Sequence, residues 1–120
     1  MSTKPPSPLR GEVWRVNFDP TLGQEIKKSR PAVVISSDAM GKLPVKLVVP
    51  ITEWKEHFSG SAWLVKITPD ELNHLNKVSA ADCLQIRGMD TVRFATRLGR
   101  VSSSVLEEIA AAIAIVVEYS

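Results

Sequence analysis

Helical periodicity occurs once in this chain, at its end. Leu106, Ile109, Ile113, Val116 and Val117 recur at three- and four-residue spacing and form one apolar stripe. The earlier apolar runs are all of strand length. A chain ordered as many short strands and then one helix lacks the alternation from which parallel sheets are built. It implies an antiparallel, strongly curved sheet or small barrel carrying a C-terminal helix.

The strands can be placed one by one. Val13, Arg15 and Asn17 alternate with Trp14, Val16 and Phe18, giving a strand over 12–18 that Asp19-Pro20 breaks. Pro31 to Ser36 (PAVVIS) is apolar almost throughout, the mark of a central strand covered on both faces. Asp38 to Pro44 reads as a turn, and Lys46 to Ile51 as the returning strand. Pro50 cannot donate a ladder hydrogen bond, so that strand is expected to end, bulge or lie at an edge there. Further on, 53–61 reads as a loop and 63–67 as a strand, and Thr68-Pro69 opens a short helical turn to Leu75. A strand over 78–87, a turn at Gly88-Met89-Asp90 and a strand over 94–101 complete the sheet. Ser102 or Ser104 caps the helix, and Ser104 with Glu107 has capping-box spacing.

Residues 1–9, with prolines at 5, 6 and 8, read as a disordered arm, and 10–120 as a single domain. A net charge of +2 is too mild to mark a nucleic-acid binder by itself, so a polyanion would need a local basic patch. Cys83 stands alone and excludes a disulfide within the chain. With the polar N-terminal stretch, which lacks a leader-like apolar core, it suggests a reducing, cytoplasmic location. Placed in a strand, Cys83 reads as a small buried hydrophobe. The longest apolar stretch, 109–117, is too short to span a bilayer.

Several chemistries are absent from the pattern. His57 and His74 are the only histidines, and neither has a neighbour at zinc-ligand spacing, so no metal site is expected. No Gly-rich phosphate loop and no nucleophile elbow occurs, and no cofactor is indicated. The two histidines offer an acid–base pair, but both lie in polar segments that read as exposed. What remains is the segment 19–30, DPTLGQEIKKSR, which is either a solvated basic loop or a functional one. Arg30 directly precedes Pro31 and is thereby biased to an extended backbone at the rim of the core. Thr52 ends the returning strand, and antiparallel pairing brings it to the same end of the hairpin as Arg30. A guanidinium beside a hydroxyl suits a phosphate, although a strand-end threonine is also an ordinary feature. A second basic group comprises Arg87, Arg93, Arg97 and Arg100, with Gln85 and Arg87 on one face by period two. Structural salt bridges would account for any one of these arginines equally well.

The run RGEVWRVNFDPTLGQEIKKSRPAVVISSD at 10–38, VVPIT at 48–52, SAADCLQIRGMD at 79–90 and LGRVS from Leu98 resemble the MazF/PemK (Kid) toxins of bacterial toxin–antitoxin systems. The resemblance implies an SH3-like barrel, a homodimer and sequence-specific, metal-independent cleavage of single-stranded RNA. In it the RNA 2′-hydroxyl attacks its own phosphate, leaving a 2′,3′-cyclic phosphate and a 5′-hydroxyl. It places Arg30 and Thr52 as the catalytic pair and Gly23, Glu25, Lys28, Gln85 and Arg87 as RNA contacts. Lys27 joins them on charge and position. The resemblance also implies a cognate antitoxin, whose acidic tail would cover the same groove. Glu25 is the carboxylate the loop offers to the 2′-proton. Glu53 departs from the family pattern and puts a negative charge beside the expected phosphate. A non-catalytic, CcdB-like gyrase poison and an inactive RNA-binding module are the alternatives.

Overall fold

The structure, a computed structural model, describes residues 7–20, 22–25 and 28–119. Seven strands, β1 (Glu12–Asn17), β2 (Ser29–Val34), β3 (Val45–Glu53), β4 (Leu64–Ile67), β5 (Ser79–Asp82), β6 (Arg87–Asp90) and β7 (Phe94–Arg100), precede one helix, α1 (Ser103–Val116). Each ladder is antiparallel, in the order β4-β5-β3-β2-β1-β7, with β6 also paired to β3. The path curls strongly but does not close, so the small barrel is an open one among the described residues. No helix among these residues is long and apolar enough to cross a membrane.

The apolar run of β2 is buried on both faces because the curled sheet has a core on each side. Ala32, Val33 and Val34 are all fully buried. Val33 joins Val13, Val49 and Ile51 in a cluster that α1 covers with Ile109 and Ala112. Ala32 and Val34 join Val16, Phe18, Val48, Met89 and Phe94 on the opposite side, where Trp14 meets Phe94 edge-on at 5.9 Å. Full burial of each valine, isoleucine, phenylalanine or methionine among them contributes about 1.5–3 kcal/mol.

Pro50 neither ends nor bulges β3. The Leu47 carbonyl accepts from Ile35 N–H, so Leu47 points its backbone groups toward β2, and by alternation Pro50 points its nitrogen the other way. On that side β6 pairs only as far as Val48 and β5 begins only at Ile51. The missing donor therefore falls in the gap between two partner strands, a local edge inside a long strand.

Other expectations are corrected. Pro8 is buried, and Leu9 N–H donates to Glu12 Oε1 at 2.7 Å, so these residues belong to the fold rather than to an arm over 1–9. The strand expected over 78–87 is broken at Cys83–Gln85 by a single 3-10 turn that Asp82 caps. Gly88, Met89 and Asp90 form β6 instead of a turn, because Met89 is buried in the second cluster and pairs across to Lys46. Ser102, not Ser104, caps α1, its Oγ accepting from Val105 N–H at 3.2 Å. Val117 lies beyond the helix and is exposed, and Ala112 takes the buried place.

The expected turn over 69–75 is one hydrogen-bonded turn, His74 N–H donating to Asp70 O at 3.3 Å, and it does not extend into a helix. Asp70 Oδ1 accepts from Leu72 and Asn73 N–H, and the buried Asn73 donates to Thr68 O and accepts from Asp70 and Leu75 N–H. The turn docks backbone to backbone on β7, where Arg100 N–H donates to Leu72 O at 3.0 Å. Only glycine fits at 99, since a Cβ there would lie 2.3 Å from Leu72 O and 3.0 Å from Asn73 C. Gly99→Ala is therefore expected to cost about 1–3 kcal/mol, read as a lower urea midpoint at unchanged slope.

Candidate functional site

The β2–β3 register pairs Ala32 with Pro50. Carried two residues further, it sets Arg30 opposite Thr52. Both line one pocket of about 300 Å³, together with Arg15 from β1, Glu53 from β3, and His74 and Lys77 from the 68–77 turn. The juxtaposition reasoned from hairpin pairing is thus present. Three of these side chains are cationic and one is a carboxylate, so the pocket favours an anion. The Glu53 carboxylate does not face it uncompensated: Lys55 and Lys77 lie 3.7 and 3.9 Å from Oε2.

The remaining candidates gather elsewhere. Glu25, Gln85 and Arg87 line a second pocket of about 460 Å³ with Gln24. Gln85 and Arg87 do come together, but not by strand alternation, since Gln85 sits in the 3-10 turn. Arg87 Nη2 donates to Gln85 Oε1 at 3.2 Å, Gln85 Nε2 donates to Gln24 O at 3.2 Å, and the Arg87 guanidinium lies 5.1 Å over the Phe18 ring. Glu25 closes its own turn, Oε1 accepting from Leu22 N–H. Gly23 has φ +59° with open space around it, which admits close approach of a ligand to the backbone. Lys28, at φ +65°, anchors the loop through its backbone, accepting from Phe18 N–H and donating to Asp19 Oδ1. Neither Gly23 nor Lys28 lines either pocket. Lys27 lies outside the described residues.

The second basic group divides the same way. Arg93 Nη1 donates to the carbonyls of Asn17 and Asp19 and holds the root of the loop. Arg97 pairs with Glu12 at 2.7 Å. The two histidines do not form a pair: His57 packs edge-on against Phe58, and only His74 reaches the pocket. The sequence does not single out Arg15 or Lys77, and it offers His74 only as half of a histidine pair. Period two could have flagged Arg15, but nothing local marks a turn that docks across β7.

Comparison with solved structures places the fold. MazF from Deinococcus radiodurans superposes with a TM-score of 0.78 at 24 % identity, covering 93 % of this chain and 97 % of that one. A mycobacterial endoribonuclease in complex with its cognate antitoxin gives 0.75 at 18 %, covering 94 % and 97 %. Residues 9–117 match the model of the PemK-like, MazF-like toxin of type II toxin–antitoxin systems. Among relatives, endoribonuclease MazF9 of Mycobacterium tuberculosis is 34 % identical over 106 residues, 83 % of this chain and 87 % of the relative. Endoribonuclease PemK of Escherichia coli is 28 % identical over 102 residues, 83 % and 74 % of the two chains. The chain belongs to the PemK-like, MazF-like toxin family.

Cys83 lines neither pocket. It is fully buried, with Sγ 3.9 Å from the carbonyls of Ala81 and Ile109. Burial, aided by the neighbouring Asp82 charge, pushes the thiol up to about 12, so it is protonated and inert at neutral pH. Asp82 itself is raised above its ordinary value by burial, against the pull of the Leu84 and Gln85 N–H groups. The folded state then holds that proton more tightly than the unfolded one, and stability falls as pH rises through the interval between the two values. Two outcomes are expected. Iodoacetamide at pH 8 modifies Cys83 only after denaturation, and Asp82→Asn flattens this part of the stability–pH curve measured by urea titration.

Proposed function

We propose that this protein is an endoribonuclease toxin that cleaves single-stranded RNA sequence-specifically, at a phosphate held between Arg30 and Thr52. The observation that carries the reading is their meeting in one cationic pocket at the end of the β2–β3 ladder. The reaction is transesterification: the 2′-oxygen bonds phosphorus, the bond to the 5′-oxygen breaks, and a 2′,3′-cyclic phosphate and a 5′-hydroxyl remain.

A guanidinium does not give up its proton in a protein, so Arg30 acts as a charge clamp rather than a base. Its planar fork donates to the phosphoryl oxygens, which gain charge as the transition state forms. Thr52 donates a further hydrogen bond to the same phosphate. These groups supply the positive field that a metal supplies in other nucleases, so the reaction proceeds without one. Gly23, Lys28, Gln85 and Arg87 extend the surface that holds the flanking RNA, and Lys27 adds its charge to that set on sequence grounds alone. Glu25 is set apart from the scissile phosphate, since it lines the second pocket and its carboxylate is occupied by Leu22 N–H.

The protein acts as a homodimer in the cytoplasm, and a cognate antitoxin restrains it by laying an acidic segment over the cationic surface. The mycobacterial endoribonuclease of like fold, solved in complex with its cognate antitoxin, supports that partner class.

The purified protein is incubated with a long RNA in excess EDTA. Discrete fragments bearing cyclic-phosphate and 5′-hydroxyl ends are expected, whereas intact RNA with gyrase inhibition marks the CcdB-like alternative. Arg30→Ala is expected to reduce the cleavage rate by at least about 10²–10³, and Thr52→Val by on the order of 10², with unchanged circular dichroism. If Lys27, Lys28 and Arg87 each neutralise one phosphate, log K for single-stranded RNA should fall with log salt at a slope of about −2.

A further inference from the structure

The pocket holds a group that the clamp-and-donor chemistry leaves unused. His74 lines it beside Arg30 and Thr52, and its Nδ1 lies 2.8 Å from the Leu98 carbonyl oxygen. A carbonyl only accepts, so Nδ1 carries a proton and donates it, and in the neutral form of the ring the lone pair is therefore on Nε2. The backbone is held as firmly as the ring. His74 sits at φ +54°, its N–H donates to Asp70 O, and the preceding Asn73 is buried in its own hydrogen-bond set. A left-handed histidine on a docked turn is a conformation that the surrounding structure must impose.

The cleavage needs an acceptor for the 2′-proton, and besides His74 the pocket offers only the Glu53 carboxylate, whose Oε2 is flanked by two lysines. Arg15, Arg30 and Lys77 are cations. Glu53 is held by Lys55 and Lys77, and the Ser79 hydroxyl donates to Lys77 O. Those four charged groups, from β1, β2, β3 and the turn, are the ones that face His74 in the pocket.

We propose that His74 is a further catalytic residue of this site, its Nε2 taking the proton from the attacking 2′-hydroxyl. The inference rests on the endoribonuclease reading above. As the O2′–P bond forms, the 2′-proton passes to Nε2. The P–O5′ bond breaks, the 5′-oxygen takes a proton from water, and the imidazolium returns its extra proton to solvent. The balance requires no oxidant, metal or further reactant.

The test uses the intact protein and single-stranded RNA, with kcat and KM followed from pH 5 to 9. The wild-type rate should rise with pH over the range in which histidines lose their proton, then level off. His74→Asn tolerates the left-handed backbone and keeps a donor for Leu98 O. It should lose about 10²–10⁴ in kcat with KM little changed, and lose that rise. His74→Gly suits φ +54° and should regain part of its activity when imidazole is added to the buffer. An active wild type that either folded variant matches in rate and pH profile overturns the inference alone. An active wild type whose rate shows no rise between pH 5 and 8 also overturns it. A wild type that leaves RNA intact overturns the endoribonuclease reading, and this inference with it.

Discussion

The site depends on the pairing of β2 with β3 and on the single register it allows. Both strands are buried on both faces, so hydrophobicity alone would tolerate a slip between them. Pro50 does not. In the observed register its missing N–H points away from β2, into the gap between β5 and β6. A one-residue slip would turn that missing donor onto β2, leaving a buried carbonyl without its partner at a cost of about 1–3 kcal/mol. A residue that looks like a strand breaker thus selects the register that brings Arg30 to Thr52.

The second constraint is the docking of the 68–77 turn on β7. Gly99 lets the Leu72 and Asn73 backbone approach closer than any Cβ permits, and Asn73 satisfies the turn's polar groups from inside. This contact carries His74 and Lys77 to the pocket edge. It also changes the meaning of Glu53. Next to a phosphate site it looked like a defect, but Lys77 and Lys55 flank it and offset its charge. Exposed pairs of this kind add little to stability, and their effect here is on the local field.

The arginines show how far residue type alone can be read. Arg93 and Arg97 are spent on the architecture, one tying the loop root and the other pairing with Glu12, whereas Arg15 and Arg30 face the pocket. Charge was legible in the sequence, but its destination was not. The candidate RNA contacts likewise fell into two groups: Gln85 and Arg87 meet Gln24 across a separate pocket, on the far side of a 3-10 turn that breaks the expected strand. Asp82 made that break by capping the turn, a competition between side chain and backbone that strand propensity does not register.

By itself the sequence determined the features governed by short-range pattern: the strand–turn–strand unit from 31 to 52, the helix at the end, and the meeting of Arg30 with Thr52. Neighbouring strands joined by a short connection have little choice of partner, so period and turn chemistry suffice. Tertiary structure alone decided which side chains join that pair. The delivery of His74 and Lys77 rests on one missing Cβ at Gly99 and one buried amide at Asn73, contacts between segments about 25 residues apart. The curl that gives β2 two cores, and the partition of the cationic residues between framework and pocket, arise the same way. They come from packing across the sheet, where no local periodicity announces the neighbour.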